Sequence, residues 1–381
     1  MKILYVSAFP IDYFNELENL KIKNLVYANQ KFNSTFIHGF KDINCDIEVL
    51  CPSDIYLEKH QKGTRFGWKT LTENNIKYHF PPTSSNKYIR KLIRPIALTA
   101  FIKSFFKKNK DGIVLMDTLS PCSWTIHKAS KNICHIVTDL TNDPVEHEKH
   151  KKMYTMISEG NYLVLLTEQM KSVIKMSDSQ KSVTLQGVVN HNVPNLATKK
   201  KKVIIYTGTI NERNGISNIM SAYKMLDTDY ELHFYGTGVD VNNVIEESKK
   251  TPGIKYMGTV SEEEITKAQQ EALIAVNPEL LNHSFSTYSF PSKLLVYLVS
   301  GAATITTKLP CIPQNYYDVL ETFESDSVES LYEGLKRLTQ KTEAELIQIG
   351  KNQQDFVLKN CANTVQAQKI IDMISKKSYL D

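Results

Sequence analysis

The sequence predicts an α/β protein built from two doubly wound, Rossmann-like domains. Three observations carry this. Apolar runs rich in β-formers alternate with helix-period stretches through both halves of the chain, the pattern of parallel sheets joined by helical crossovers. At 381 residues the chain is long enough for two separate cores. Between the halves, Asn190 to Lys202 carries Pro194 and four consecutive lysines and reads as a linker. The expected boundaries are 1–189 for the first domain, 190–202 for the linker, 203–360 for the second domain and 361–381 for a terminal helix.

In the first half, Lys2 to Ser7 is a β-rich run that ends at Ala8-Phe9-Pro10. Ala28 to Ile43 puts Phe32, Phe36, Ile37, Phe40 and Ile43 on one helical face. Asp46 to Cys51 is the next strand, stopped by Pro52. Strand, helix and strand at this spacing form a βαβ unit. Residues 53–86 are polar, with Gly63, Gly67, Pro81 and Pro82, and are expected to be loop around a short strand near Ile76 to Phe80. Gly112 to Asp117, Ile133 to Thr138 and Tyr162 to Thr167 read as further strands, the last followed by a helix to Met176. Asp117 and Asp139 fall at carboxyl ends of strands, where ligands of open parallel sheets bind. In His147-Glu148-Lys149-His150 the histidines are three apart and lysines flank the run, so it reads as a solvated charge run rather than a metal site.

Composition bounds the class. Hydrophobic residues make up 41% and charged residues 23%, which is ordinary for a globular protein. The apolar runs fall far short of the ~18 residues that span a bilayer. Met1 to Ser7 lacks the cleavage site of a signal peptide, and six cysteines without a Cys-x-x-Cys pair suit reduced cytoplasmic thiols. The net charge of +5 is unevenly spread: Lys87 to Lys110 holds eight Lys or Arg and no Asp or Glu. Tyr88, Ile89, Leu92, Ile93, Ile96, Phe101, Ile102, Phe105 and Phe106 interleave with those cations, and Pro95 predicts two helical pieces. One reading is an anionic membrane surface or acceptor met by Arg90, Lys91 and Arg94; the other is a core helix with a solvated basic rim. No nucleic-acid motif is present.

In the second half, Val203 to Tyr206 runs into Thr207-Gly208-Thr209, then Glu212-Arg213-Asn214-Gly215 and a helix from Ile216 to Leu226. Tyr230 to Tyr235 leads into Gly236-Thr237-Gly238, and Gly253 to Met257 into Gly258. Ser261-Glu262-Glu263-Glu264 is a capping box, and Leu273 to Val276 ends in Asn277-Pro278. Pro291 suits the first position of a short helix and Gly301 its C′ position, with a strand from Ala303 to Thr306 beyond. The first turn of that helix offers the N–H groups of Ser292 and Lys293 beside a lysine side chain, a ready anion site. Helices are expected over Val328 to Leu338, Glu343 to Lys359 and Thr364 to Ile374. No Gly-x-Gly-x-x-Gly follows either domain's first strand, which disfavours a dinucleotide-binding oxidoreductase.

The run Tyr288-Ser289-Phe290-Pro291-Ser292-Lys293, with Tyr297, Ser300 and Gly301, resembles the donor-site helix of family-4 glycosyltransferases of the GT-B fold, closest to the bacterial capsule and exopolysaccharide type. Ala28 to Asn33, Ile136 to Leu140, Val276-Asn277-Pro278 and Thr307 to Pro313 resemble the same family. The resemblance implies two domains facing a central cleft, with the last helix crossing back to the first. It implies a nucleotide-sugar donor, favouring a UDP-sugar, at Gly208, Thr209, Asn214, Gly236, Tyr288, Ser289, Pro291, Ser292 and Val296, with Arg213 and Lys293 facing the diphosphate and Asp139 holding a sugar hydroxyl or orienting an acceptor. The acceptor would be a glycan or a polyprenyl-diphosphate-linked sugar at the inner face of the cell membrane. Transfer would retain the anomeric configuration, with no metal, no cofactor and no protein nucleophile.

Two positions depart from the family pattern. Val296 stands where a glutamate grips the ribose hydroxyls, and Asn214 stands where a lysine reaches the diphosphate. A valine accepts no hydrogen bond and an asparagine carries no charge. The alternative reading is therefore a non-catalytic GT-B subunit that binds or stabilises a partner glycosyltransferase.

Overall fold

The computed structural model describes residues 1–21, 27–138, 140, 148–174, 176–196, 199–281, 285–288 and 290–375. The chain divides into two compact units, Met1–Val188 with Asn363–Asp381, and Val189–Ala362.

The first unit is built on an eight-stranded sheet in the spatial order Lys181–Thr184, Tyr162–Leu165, Ile133–Val137, Ile113–Asp117, Lys2–Val6, Asp46–Leu50, Ile76–Phe80, Lys69–Glu73. All pairs are parallel except the last. The sheet is apolar on both faces: Ile113–Asp117 and Ile133–Val137 are buried throughout, as strands between helical layers must be. The order reverses between Lys2–Val6 and Ile113–Asp117, a topological switch point. One helical layer joins Tyr27–Asp42 to the terminal helix Asn363–Ser375. Their close approach needs Gly39, where a Cβ would stand 2.4 Å from the carbonyl oxygen of Asn363.

The polar segment 53–86 holds more structure than its composition suggests. Ile55–Lys59 is a helix capped by Asp54, Lys69–Glu73 is the antiparallel edge strand, and Thr64–Arg65 pairs with Thr83–Ser84. Buried Asp54 holds this excursion together, accepting from Tyr13 Oη at 2.6 Å and pairing with Arg65. Downstream, Tyr162–Leu165 is followed by a single 3-10 turn, Glu168–Ser172, and then by an edge strand, Lys181–Thr184, that the sequence reading did not contain.

Lys87–Lys108 is one helix of 22 residues, not two pieces divided at Pro95. Proline costs the helix a backbone hydrogen bond, but packing on both sides of it holds the helix together. Leu98, Ile102, Phe105 and Phe106 are buried after the proline. Before it, Arg94 is buried, pairing with Glu58 and donating to Thr83 Oγ1 at 2.6 Å. Arg90 donates to the carbonyl oxygen of Ser84 at 2.6 Å and lies 3.6 Å from Glu58. These two arginines therefore serve the interior and rim of the unit, whereas Lys91 is exposed.

The second unit carries a six-stranded, all-parallel sheet in the order Ile254–Gly258, Glu231–Tyr235, Lys201–Thr207, Ala272–Asn277, Ala303–Thr307, Glu321–Phe323. Numbered along the chain this is 3-2-1-4-5-6, the dinucleotide-fold order. Its first strand starts at Lys201, within the stretch expected as linker. The helix Ser292–Ser300 starts just after Pro291 and ends at Gly301 in the left-handed conformation (φ 72°). Tyr297 fixes this helix to the sheet: its buried hydroxyl accepts from Thr207 N at 2.7 Å and donates to Thr207 O at 3.0 Å. All six cysteines are free thiols.

Candidate functional site

The second unit's switch point lies between the strands Lys201–Thr207 and Ala272–Asn277. Their carboxyl ends lead into the Gly208 turn and into Asn277-Pro278. Two glycines let the loops meet closely here. At Gly236 (φ 126°) a Cβ would stand 2.0 Å from Gly208 O, and at Gly215 (φ 70°) one would stand 1.9 Å from Pro278 O. Gly208 itself (φ 129°) has the Lys293 side chain alongside, 2.9 Å from where its Cβ would be.

Lys293 reaches this point from the first turn of the helix. Its Nζ donates to Tyr206 Oη at 2.9 Å and to Asn214 Oδ1 at 3.0 Å, and lies 4.9 Å from the centre of the Tyr206 ring. Both acceptors are themselves fixed by one carbonyl. Tyr206 Oη donates to Thr209 O at 2.7 Å, and Asn214 Nδ2 donates to the same oxygen at 2.7 Å. Asn214 Nδ2 also lies 2.5 Å from Asn211 Oδ1. Burial lowers the lysine to about 8, with Glu279 pulling it up and Arg213 pushing it down. The third ammonium proton has no acceptor among the described residues.

The structure thus brings together Gly208, Thr209, Asn214, Gly236 and Lys293 of the expected donor-binding set. Pro291 and Tyr288 are buried, and Ser292 is exposed at the helix start. Arg213 is exposed in the same turn as Asn214, its carbonyl accepting from Leu280 N at 3.1 Å. Val296 is 39% exposed, one turn along from Ser292. Asn214 is buried, its amide donating to Thr209 O and Asn211 Oδ1 and its Oδ1 accepting from Lys293 Nζ. The sequence reading missed Tyr206 and Glu279. Tyr206 reads as one more apolar strand residue, and nothing in its spacing marks the hydroxyl's role. Ser289, Asp139 and His147 lie outside the described residues.

The first unit has its own polar cluster at its switch point. Asp117, fully buried, accepts from Asn29 Nδ2 at 3.1 Å, Thr138 Oγ1 at 3.1 Å and Leu119 N at 2.8 Å. Asn29 Oδ1 accepts from Asn33 Nδ2 at 3.0 Å, and Asn33 Oδ1 accepts from Tyr5 Oη at 2.6 Å. The buried hydroxyls of Thr118 and Ser120, beside Asp117, have no hydrogen-bond partner among the described residues. Among the described residues no group of His, Cys, Asp and Glu is placed to hold a metal ion.

A parallel sheet with a switch point in each unit defines the class: the fold is that of the GT-B glycosyltransferases. Solved structures match over nearly the whole chain. A glycosyltransferase from Rickettsia africae aligns with a TM-score of 0.66 at 14% identity, covering 99% of both chains. TarM from S. aureus, in complex with fondaparinux, α-GlcNAc-glycerol and UDP, aligns with a TM-score of 0.66 at 10% identity over 99% of this chain and 100% of that one. The sucrose-phosphate synthase of Thermosynechococcus elongatus aligns with a TM-score of 0.64 at 10% identity over 98% of both. No family model and no curated protein sequence matches the chain.

Proposed function

We propose that this protein is a glycosyltransferase that takes a sugar from a nucleotide-sugar donor, a UDP-sugar foremost, and transfers it with retention to a glycan or lipid-linked acceptor in bacterial surface polysaccharide synthesis. The observation that carries the reading is the half-buried Lys293, its ammonium held at the switch point of the second unit on two neutral acceptors, in the first turn of a helix. A diphosphate there meets a lysine, the Ser292 and Lys293 N–H groups and the positive end of the helix dipole. Similar structures hold UDP, in TarM, and UDP-2-fluoro-glucose, in an E. coli protein.

In the reaction the bond from the anomeric carbon to the diphosphate oxygen breaks, and a bond to the acceptor oxygen forms on the same face. The acceptor's proton passes to the departing diphosphate. The protein's part is to stabilise the charge that builds on that leaving group, through Lys293, Arg213 and the helix N-terminus. It needs no nucleophile and no metal for this. In the first unit Asp117, Thr118 and Ser120 are the acceptor-side candidates, to which the sequence adds Asp139. The inner face of the cell membrane is the place we propose for this work; among the described residues no helix is long and apolar enough to cross a membrane.

One observation favours a second reading. Val296 presents an exposed apolar side chain where a ribose-binding carboxylate is expected, as suits a GT-B subunit that has lost its donor and supports a partner glycosyltransferase. Calorimetric titration of the pure protein with UDP, GDP and their common sugar conjugates decides between them. UDP binding in the micromolar range, lost in Lys293→Ala, supports the transferase. Silence across the panel, with Lys293→Ala indistinguishable from wild type, leaves the subunit reading.

A further inference from the structure

We propose that the outer face of helix Lys87–Lys108 is a docking surface for a lipid bilayer that carries anionic headgroups. This does not rest on the transferase reading. At about 100° per residue, Tyr88, Leu92 and Ile96 follow one another on a single face, and Lys103 and Lys107 continue it toward the helix end. The opposite face, with Arg94, Leu98, Ile102 and Phe105, is buried. Tyr88 is 71% exposed, Leu92 67% and Ile96 65%. Three large apolar residues at such exposure on one stripe differ from the scattered single ones of an ordinary surface. Trp68 covers the other side of the helix, its ring stacking on Phe101 at 4.5 Å.

Charge selects the occupant. The helix and its end hold eight cations and no acid. Arg90 and Arg94 are taken by Glu58. The six lysines that remain, Lys87, Lys91, Lys103, Lys107, Lys108 and Lys110, are exposed and form no ion pair among the described residues. Apolar side chains flanked by free lysines fit the boundary between acyl chains and anionic headgroups, with the helix lying in the plane of the surface. A second copy of this chain would bring six like charges against six. The structure therefore also corrects which residues meet the lipid: Leu92, Ile96, Tyr88 and the lysines, not Arg90 and Arg94.

The test is co-sedimentation of the full chain with phosphatidylcholine vesicles and with vesicles containing 30% phosphatidylglycerol, at about 0.1 M salt, where surface charge is only partly screened. The variants are Leu92→Ser with Ile96→Ser, Lys103→Glu with Lys107→Glu, and Ile347→Ser, an exposed residue of the other unit. Both double variants change exposed positions, and their thermal midpoints verify the fold. Binding to the anionic vesicles only, reduced at least about tenfold by each double variant and untouched by Ile347→Ser, is the expected result. The proposal is overturned if anionic vesicles are not bound, or if the double variants bind as wild type does. It is equally overturned if light scattering shows a dimer that Leu92→Ser with Ile96→Ser dissolves, since the face then holds a second copy.

Discussion

Lys293 Nζ donates to Asn214 Oδ1 at 3.0 Å, and Asn214 Nδ2 is held in turn by the carbonyl of Thr209 at 2.7 Å. Asn214 is thus the part that aims the lysine. Asn214→Leu keeps the volume and removes all three side-chain hydrogen bonds, to Thr209, Asn211 and Lys293. A buried ammonium that loses one of two acceptors costs about 1–3 kcal/mol. The variant should lower the thermal midpoint by several degrees and weaken UDP binding about tenfold. An unchanged affinity would separate Asn214 from the function of Lys293.

The same lysine sets a pH dependence. Burial brings it to about 8, so it is charged below that pH and neutral above it. UDP affinity should be flat up to about pH 7.5 and fall up to about tenfold per unit above 8, as the charged fraction falls. Stability runs the other way. An unfolded lysine titrates at 10.5, so between about 8 and 10.5 the unfolded chain binds more protons and this residue's contribution to stability rises with pH. Lys293→Met should flatten both trends. The comparison is made by calorimetric titration and by urea unfolding across pH 7 to 10, wild type against variant; parallel curves for the two proteins would refute it.

Two glycines in adjoining turns, after the strands Lys201–Thr207 and Glu231–Tyr235, should respond differently. At Gly236 (φ 126°) an added Cβ meets the Gly208 carbonyl oxygen at 2.0 Å, and backbone cannot move aside. Gly236→Ala should cost about 3 kcal/mol or more in urea unfolding. At Gly208 (φ 129°) the backbone strain is shared, but the contact an added Cβ would make is with the Lys293 side chain at 2.9 Å, which can swing away. Gly208→Ala should lose less stability and more UDP affinity, because it displaces the lysine. The reverse ranking would mean that Lys293 does not depend on this turn.

The fold was legible because the inner strands of both sheets are apolar runs, whereas edge strands such as Lys181–Thr184 are polar and were not seen; the Gly236, Gly258 and Gly301 turns fell where the sequence put them. Segment 53–86 was not legible as structure, because its elements are short and held by polar contacts distant in sequence, such as Asp54 with Tyr13 and Arg65. Arg94 was misread for the same reason. A cation among apolar residues reads as a surface feature until Glu58, 36 residues earlier, is seen beside it. Arg94→Ala removes one charge-assisted hydrogen bond from Glu58, which keeps Arg90 and Thr83 beside it, so it should destabilise by about 1.5–3 kcal/mol and leave vesicle binding of the folded protein unchanged.

Position 296 tests the departure from the family pattern directly. It lies on the exposed side of the helix Ser292–Ser300. Glutamate has a slightly better helix propensity than valine, so Val296→Glu should fold with an unchanged or slightly higher thermal midpoint. If the position faces the ribose, the new carboxylate accepts from its hydroxyls, and a hydrogen bond to a charged group contributes about 1.5–3 kcal/mol. UDP affinity should then rise about tenfold or more. Inorganic pyrophosphate has no ribose and meets only the added negative charge, so its binding should weaken slightly. A gain for UDP with a loss for pyrophosphate identifies a donor pocket that works without its usual carboxylate. A loss for both means that position 296 does not look toward the ribose, and the donor-site assignment built on this helix fails with it.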